Sequence, residues 1–353
     1  MTYHAGVVVT AGAGRFFYLD VARIVAICFV VAIHNWSLLE VLDYGTASWW
    51  AVDIILTSSR WAVPLFVMIS GAFLLRRIPP EPASVFYRKR LSRVAIPAAF
   101  WIVAYLVFRV TFLGQDLTAQ EAATDVALGR PFVHLYFVYV IVGLYLLTPA
   151  IAPFVVGADR RTLVLVSAVV VGILAIDAAL PYLVGRGTIV TGLTYWVPFL
   201  GYYLAGAALF GLRLTTLQRW GIVAMIAVAQ VAQILFVYGL GPPGDGSWMG
   251  YPPAHVSVFT LIVTMGIFIL CAQDTEGQAR GGRTAAIVTT LAAATFGVFL
   301  IHEMVLYWHA ENFVEGPLDA LVANRLPTYV FGIVVSFAIV LVARRIPIVR
   351  RVF

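Results

Sequence analysis

Arg23 and His34 lie eleven residues apart in LDVARIVAICFVVAIH, a run apolar enough to cross a lipid layer. At 3.6 residues per turn that interval is close to three whole turns, so both side chains project from one face, about 16 Å apart along the axis. Asp20, one turn before Arg23, can hold its guanidinium in an ion pair. An ionisable group in hydrocarbon costs about 2.5–3.5 kcal/mol on insertion scales, so each of these residues needs a partner, a wet cavity or a task. An imidazole, ordinarily titrating at about pH 6.5, can take a proton from an attacking hydroxyl and return it to a leaving group. Singly, Arg23 could snorkel to the interface and His34 could bond a neighbouring helix. On one stripe with Asp20 they favour acid–base chemistry.

Other costly residues follow the same logic. In SSRWAVPLFVMISGAFLL, Arg60 falls near mid-depth, Pro64 can kink the helix, and Ser70-Gly71 permits a close approach of another backbone. Asp53, two turns before Arg60 on nearly the same face, leaves two readings open: a structural ion pair or a substrate contact. His134, Asp177, Tyr195, Trp196, His302 and Glu303 gather toward the opposite half from Arg23. Tyr195 and Trp196 fit interfacial anchors as well as a site, and His302 is the better functional candidate. No histidine pair has the i, i+4 spacing of a helical zinc site, so no metal is expected. The most basic stretch is RRIPPEPASVFYRKRLSR. Arg90 and Arg93 are spaced to share a helix face there and, with Arg88, to clamp phosphates, although topology alone accounts for much of the charge. There is no phosphate-binding glycine loop or dinucleotide fingerprint.

The elements that must position these groups are membrane helices. Of 353 residues 62% are hydrophobic and 11% charged, and mean hydropathy is +0.95. That leaves too little polar surface to clothe a soluble globule. Ten segments are long and apolar enough to cross, near 16–40, 48–75, 94–114, 132–155, 162–182, 190–211, 219–240, 255–272, 284–308 and 327–343. The fold class is therefore all-α: a single polytopic bundle over 16–353 with a short tail over 1–15 that lacks the charged start of a cleaved signal. Cys28 and Cys271 sit in apolar runs and suggest neither metal nor disulfide.

An even number of crossings puts both termini on one side. Taking that side as cytoplasmic places seventeen of the 23 basic residues there, three (Arg130, Arg186, Arg325) opposite, and three (Arg23, Arg60, Arg109) inside helices. The net charge of +6 is thus topogenic, and no nucleic-acid partner is expected. The opposite loops QDLTAQEAATD, GPPGDGSWMGYPP and HAENFVEGPLD are acidic or turn-rich and are either the rim of a site or plain connectors.

Five segments, in order, carry a resemblance: LDVARIVAICFVVAIH, SRWAVPLFVMISGAFLL, RLSR before a proline-started helix, HLYFVYVIVGLYLLTP and FGVFLIH. Over most of its length the chain resembles acyltransferase family three, the membrane O-acyltransferases. Within the family it is most similar to the branch that O-acetylates bacterial surface polysaccharides such as enterobacterial common antigen. The resemblance implies a multi-pass protein of the plasma membrane and an acyl-CoA donor, acetyl-CoA first, used from the cytoplasm. It also implies an acceptor hydroxyl on a glycan or lipid-linked sugar, commonly on the outer face. It assigns catalysis to His34 with Arg23 in the same site, and donor binding to Arg90 and Arg93. Tyr136 stands where the family commonly has tryptophan. Some members carry an extra soluble domain or further helices, so this chain should act alone or hand the acyl group to a partner; a homo-oligomer stays open. The rival readings are a transporter or flippase, which would move substrate without consuming acyl-CoA, and a sensory or scaffold protein, which would do neither.

Overall fold

A computed structural model describes residues 17–37, 39–77, 80–184, 191–240, 254–273, 282–315 and 318–353. The expected tail over 1–15, Arg186, Arg280 and the loop GPPGDGSWMGYPP lie outside the described residues. The chain is all-helical there. Eight helices or helix pairs are long and apolar enough to cross a membrane, and Val197–Leu209 and Val258–Cys271 are shorter apolar pieces, so all ten expected segments have a counterpart.

The first crossing is α1 (Phe17–Asn35). The second is broken into α2 (Ala47–Ser59), started by the Thr46 side chain accepting from Trp49 N at 3.2 Å, and α3 (Ala62–Leu75). The break follows from Pro64, which has no N–H to offer the carbonyl of Arg60 four residues back. The third is α4 (Ala83–Arg90), a π-helical turn over Leu91–Ala95, and α5 (Ile96–Thr111). Pro97 near the start of α5 removes the donor that Arg93 O would use, and the wider turn absorbs the defect.

Starting within the expected loop QDLTAQEAATD is a short amphipathic helix, α6 (Ala119–Ala127), which begins with a reciprocal capping box between Thr118 and Glu121. Then come α7 (Tyr136–Gly157), α8 (Arg160–Val184), α9 (Leu200–Leu209), α10 (Thr216–Gly239), α11 (Val258–Cys271), α12 (Arg283–Phe313) and α13 (Leu318–Ala343). The last begins nine residues before the expected 327, because Pro327 is carried inside the helix rather than starting it.

The short helices α9 and α11 are core elements rather than lipid-facing spans. Gly201 through Ala208 are all buried. A Cβ on Gly71 would fall 1.9 Å from Tyr203 O, and one on Gly206 2.0 Å from Met68 O, so α3 and α9 touch backbone to backbone. By contrast α8 and α10 turn Leu165, Val169, Ile173, Trp220 and Val228 outward, as a lipid surface requires.

Two sets of bonds tie the ends. At one, which we call the basic end, Arg76 Nη1 donates to Ala207 O at 2.9 Å, Arg160 Nη2 to Phe210 O at 3.2 Å, and Gly211 N to Ala272 O at 2.9 Å. At the other, the histidine end, Trp36 Nε1 donates to Val322 O at 3.1 Å and Gly192 N to Ala127 O at 3.1 Å. In between, α1 packs against α2, α3, α11, α12 and α13.

Candidate active site

Because α1 is unbroken from Phe17 to Asn35, Arg23 and His34 keep their three-turn separation. The far end of α1 is pinned to α13. Arg325 Nη1 donates to Asn35 O at 2.7 Å, and Asn35 Nδ2 donates back to Arg325 O at 3.1 Å. This sets a cation against the last carbonyls of the helix, where its dipole favours one.

His34 turns inward. Its Nδ1–H donates to Glu303 Oε1 at 2.7 Å; the carboxylate side chain is 4% exposed and the imidazole 13%. The bond fixes tautomer and ring orientation and leaves Nε2 as the free base. Two more imidazoles crowd around it: His302 with ring centroids 5.1 Å away and His134 at 6.0 Å, themselves 5.0 Å apart. His302 Nδ1–H donates to Phe299 O at 2.7 Å, so its Nε2 also carries a lone pair, buried and without a partner. His134 is wedged edge-on among Tyr105, Phe132 and Phe299. Tyr105 is held in turn by donating to Leu300 O at 2.9 Å.

One ligand atom each from His34, His302 and Glu303 lies within 4.8 Å of the others, a group that could hold a metal ion. Searching for i, i+4 pairs could not find it, since its members come from α1 and α12. Within the trio, His34 Nδ1 and Glu303 Oε1 stand at hydrogen-bond distance, 2.7 Å.

At the break between α2 and α3, Arg60 pairs with no carboxylate among the described residues, against the ion-pair alternative. Asp53 is fully buried with neither carboxylate oxygen bonded. The neighbours of Arg60 are Tyr136 and His255, whose Oη and Nε2 lie 2.7 Å apart. His255 also sits beside the carbonyl of Arg60 that Pro64 leaves without a helical donor, and within electrostatic reach of His34. Tyr195 completes this group against Tyr136, ring centroids 5.6 Å apart. Ser70 stands beside Gly71 at the α3–α9 crossing, about 15 Å of helix from Arg60. Asp177 faces outward on α8. The structure brings neither of them to the histidines.

At the basic end Arg23 bonds Asp20 at 3.4 Å and rests over Phe73 at 5.6 Å. Tyr145 is its electrostatic neighbour, and the same ring lies 5.9 Å from the guanidinium of Arg90. Tyr145 thus links the foot of the α1 stripe to the arginine loop. The π-turn splits the expected arginine face: Arg90 is half-buried over Phe86 and Tyr145, whereas Arg88 and Arg93 are exposed. Glu81, unremarked in the sequence reading, bridges Arg77 at 3.3 Å and accepts from Lys89 Nζ. That hydrogen bond, with the charges of Arg77, Lys89 and Arg90, holds its carboxyl below the usual carboxylate range.

A polar cavity of 580 Å³ opens at the histidine end against α6. Arg109 and Asp125, ion-paired at 2.8 Å, stand in its wall. Arg109 Nη1 also donates to Pro131 O at 3.2 Å, three residues before His134.

An inward imidazole–carboxylate pair at one end of a central helix and arginines at its other end lie within an apolar, multi-pass helical bundle, an arrangement able to do acid–base chemistry. Residues 16–345 match the family described as an acyltransferase domain, and the chain belongs to it, acyltransferase family three. No curated protein and no solved structure matches.

Proposed function

We propose that this membrane acyltransferase moves an acyl group, acetyl first, from acyl-CoA to a hydroxyl of a glycan or lipid-linked sugar. This is the activity of the branch that modifies bacterial surface polysaccharides. The basic end is taken as the cytoplasmic face of the plasma membrane, with both termini there, on the asymmetry of arginine and lysine. Arg90 and Arg23 hold the donor, while exposed Arg88 and Arg93 attract it. The thioester is carried on a long thin arm up the α1 stripe, about 16 Å, to His34.

His34 Nε2 takes the proton of the acceptor hydroxyl as its oxygen attacks the thioester carbonyl carbon. The tetrahedral adduct collapses, the C–S bond breaks, and the sulfur leaves with the proton held by His34. Ester and free CoA thiol are the products and His34 is neutral again. Glu303 balances the transient imidazolium, as an orienting carboxylate does in hydrolytic triads. Arg60, Tyr136, Tyr195, His134 and His302 shape the acceptor side, and the α6 cavity offers a hydroxyl-rich molecule its way in.

The observation that carries this reading is the 2.7 Å contact between His34 Nδ1 and Glu303 at the buried end of the stripe that starts at Arg23. The experiment is reconstitution in liposomes with acetyl-CoA and extracted envelope glycans, following free thiol and acceptor mass. Thiol release matched by a gain of one acetyl mass is expected. Movement of glycan without thiol release would replace the reading with transport.

A further inference from the structure

Glu81 occupies an odd position for an acidic residue in the most basic stretch of the chain. Its side chain is 8% exposed, and its two carboxylate oxygens are divided between two cations, Oε2 to Arg77 and Oε1 to Lys89. A third cation, Arg90, lies within electrostatic range of the same carboxylate. Among the described residues it makes no ion pair: its Nε is buried without a hydrogen bond, and its guanidinium is supported by the rings of Phe86 at 5.5 Å and Tyr145 at 5.9 Å. Three cations therefore surround one carboxylate that bonds two of them.

The cleft that Arg77 and Arg90 line, with Lys89 at its outer edge on Glu81, is shut. Arg77, Glu81, Phe86, Arg90 and Thr148 surround a free volume of about 10 Å³, room for one water. Glu81 is flanked by Pro80 and Pro82, whose fixed φ angles make residues 80–82 a stiff strap leading into α4.

We infer that Arg77, Lys89 and Arg90 form a phosphate site, that the Glu81 carboxylate fills it in the resting protein, and that a phosphate of the donor's nucleotide end enters by displacing Glu81. This rests on the proposal that the donor is a CoA thioester and adds the site and the exchange. A phosphate group has three acceptor oxygens and can serve all three cations at once, Arg90 included. The displacement leaves Glu81 to water, which the strap's place at the surface allows. The exchange also opens the cleft toward Tyr145 and so toward Arg23, so the empty protein keeps the foot of its donor path closed.

The test is titration of the full-length protein in nanodiscs with adenosine 3′,5′-bisphosphate and, separately, with CoA. Removing the internal competitor with Glu81→Gln should tighten both by about tenfold, since the open form no longer has to be won from the closed one. Arg90→Gln should weaken both by a similar factor. In the wild type, which needs no variant to fold, hydrogen exchange at the amides of Glu81 and Ala83 should speed up when the bisphosphate is added. Unchanged affinity in Glu81→Gln together with unchanged or slowed hydrogen exchange at Glu81 and Ala83, while the wild type binds CoA, would overturn the displacement of Glu81 and leave the donor proposal standing. No binding of CoA by the wild type would overturn the donor proposal and this inference with it.

Discussion

The two ends of the α1 stripe are built from opposite materials. At the histidine end the groups are short and their ring nitrogens are tied down: His34 to Glu303 and His302 to the carbonyl of Phe299. At the basic end they are long side chains resting on aromatic faces, Arg23 on Phe73 and Arg90 on Phe86 and Tyr145, beside a π-turn. Fixed geometry suits a proton transfer, which fails when an atom moves by about 1 Å. Compliant geometry suits the capture and release of a charged ligand. The difference teaches that changes at the first end should alter turnover, and changes at the second should alter the donor concentration needed.

The largest break in that comparison is His34→Ala. Acyl transfer should fall by at least about a hundredfold, the low end for loss of a general base, while membrane insertion and melting temperature hold; full activity would move the base elsewhere. Next, Glu303→Gln keeps a side chain of the same shape and removes the charge. Its kcat should drop about tenfold to a hundredfold with the KM for acetyl-CoA unchanged, because the imidazolium loses its counter-charge. A raised KM in that variant would blur the division between the ends. Arg90→Gln should show the converse, a KM for acetyl-CoA higher by about tenfold with kcat nearly intact, since a hydrogen bond to a charged group contributes about 1.5–3 kcal/mol.

Smaller effects sharpen the frame that holds the ends together. Gly71→Ala drives a methyl into the Tyr203 carbonyl and should cost about 1–3 kcal/mol of stability, read as a lower melting temperature. Gly172→Ala in α8, with open space around its Cβ position, should be neutral or stabilising by up to about 1 kcal/mol. Smallest of all, overnight dialysis against a chelator should leave turnover unchanged if the His34–Glu303 hydrogen bond is the working arrangement. A loss restored by zinc would instead make His34, His302 and Glu303 a metal centre.

Much of this was legible because a membrane helix advertises its anomalies. Arg23, His34 and Asp20 stood out against an apolar run, and a straight helix preserves the spacing read from sequence. The ten segments were equally plain, because hydrophobicity is the signal that the bilayer itself selects. What could not be read was contact between distant segments. Glu303 was placed near the site, but nothing in the chain says that it bonds a histidine 269 residues earlier. His255 was overlooked at the edge of its segment, and Arg325 was counted as a loop charge although it pins the end of α1. Local misreadings came from proline. Pro64 broke the helix just after Arg60, and Pro97 inserted the π-turn that separates Arg90 from Arg93. The Glu81 strap was hidden for another reason: a lone carboxylate among six nearby cations looks like noise until three of them are seen to surround it.

The most direct test of the stripe as a donor path is a cryo-electron microscopy structure with a non-reactive thioether analogue of acetyl-CoA. The account predicts its phosphates beside Arg77, Lys89 and Arg90, its arm passing Tyr145 and Arg23, and its acyl end within hydrogen-bond reach of His34 Nε2. An analogue bound in the α6 cavity, or one whose acyl end stops away from His34, would contradict it.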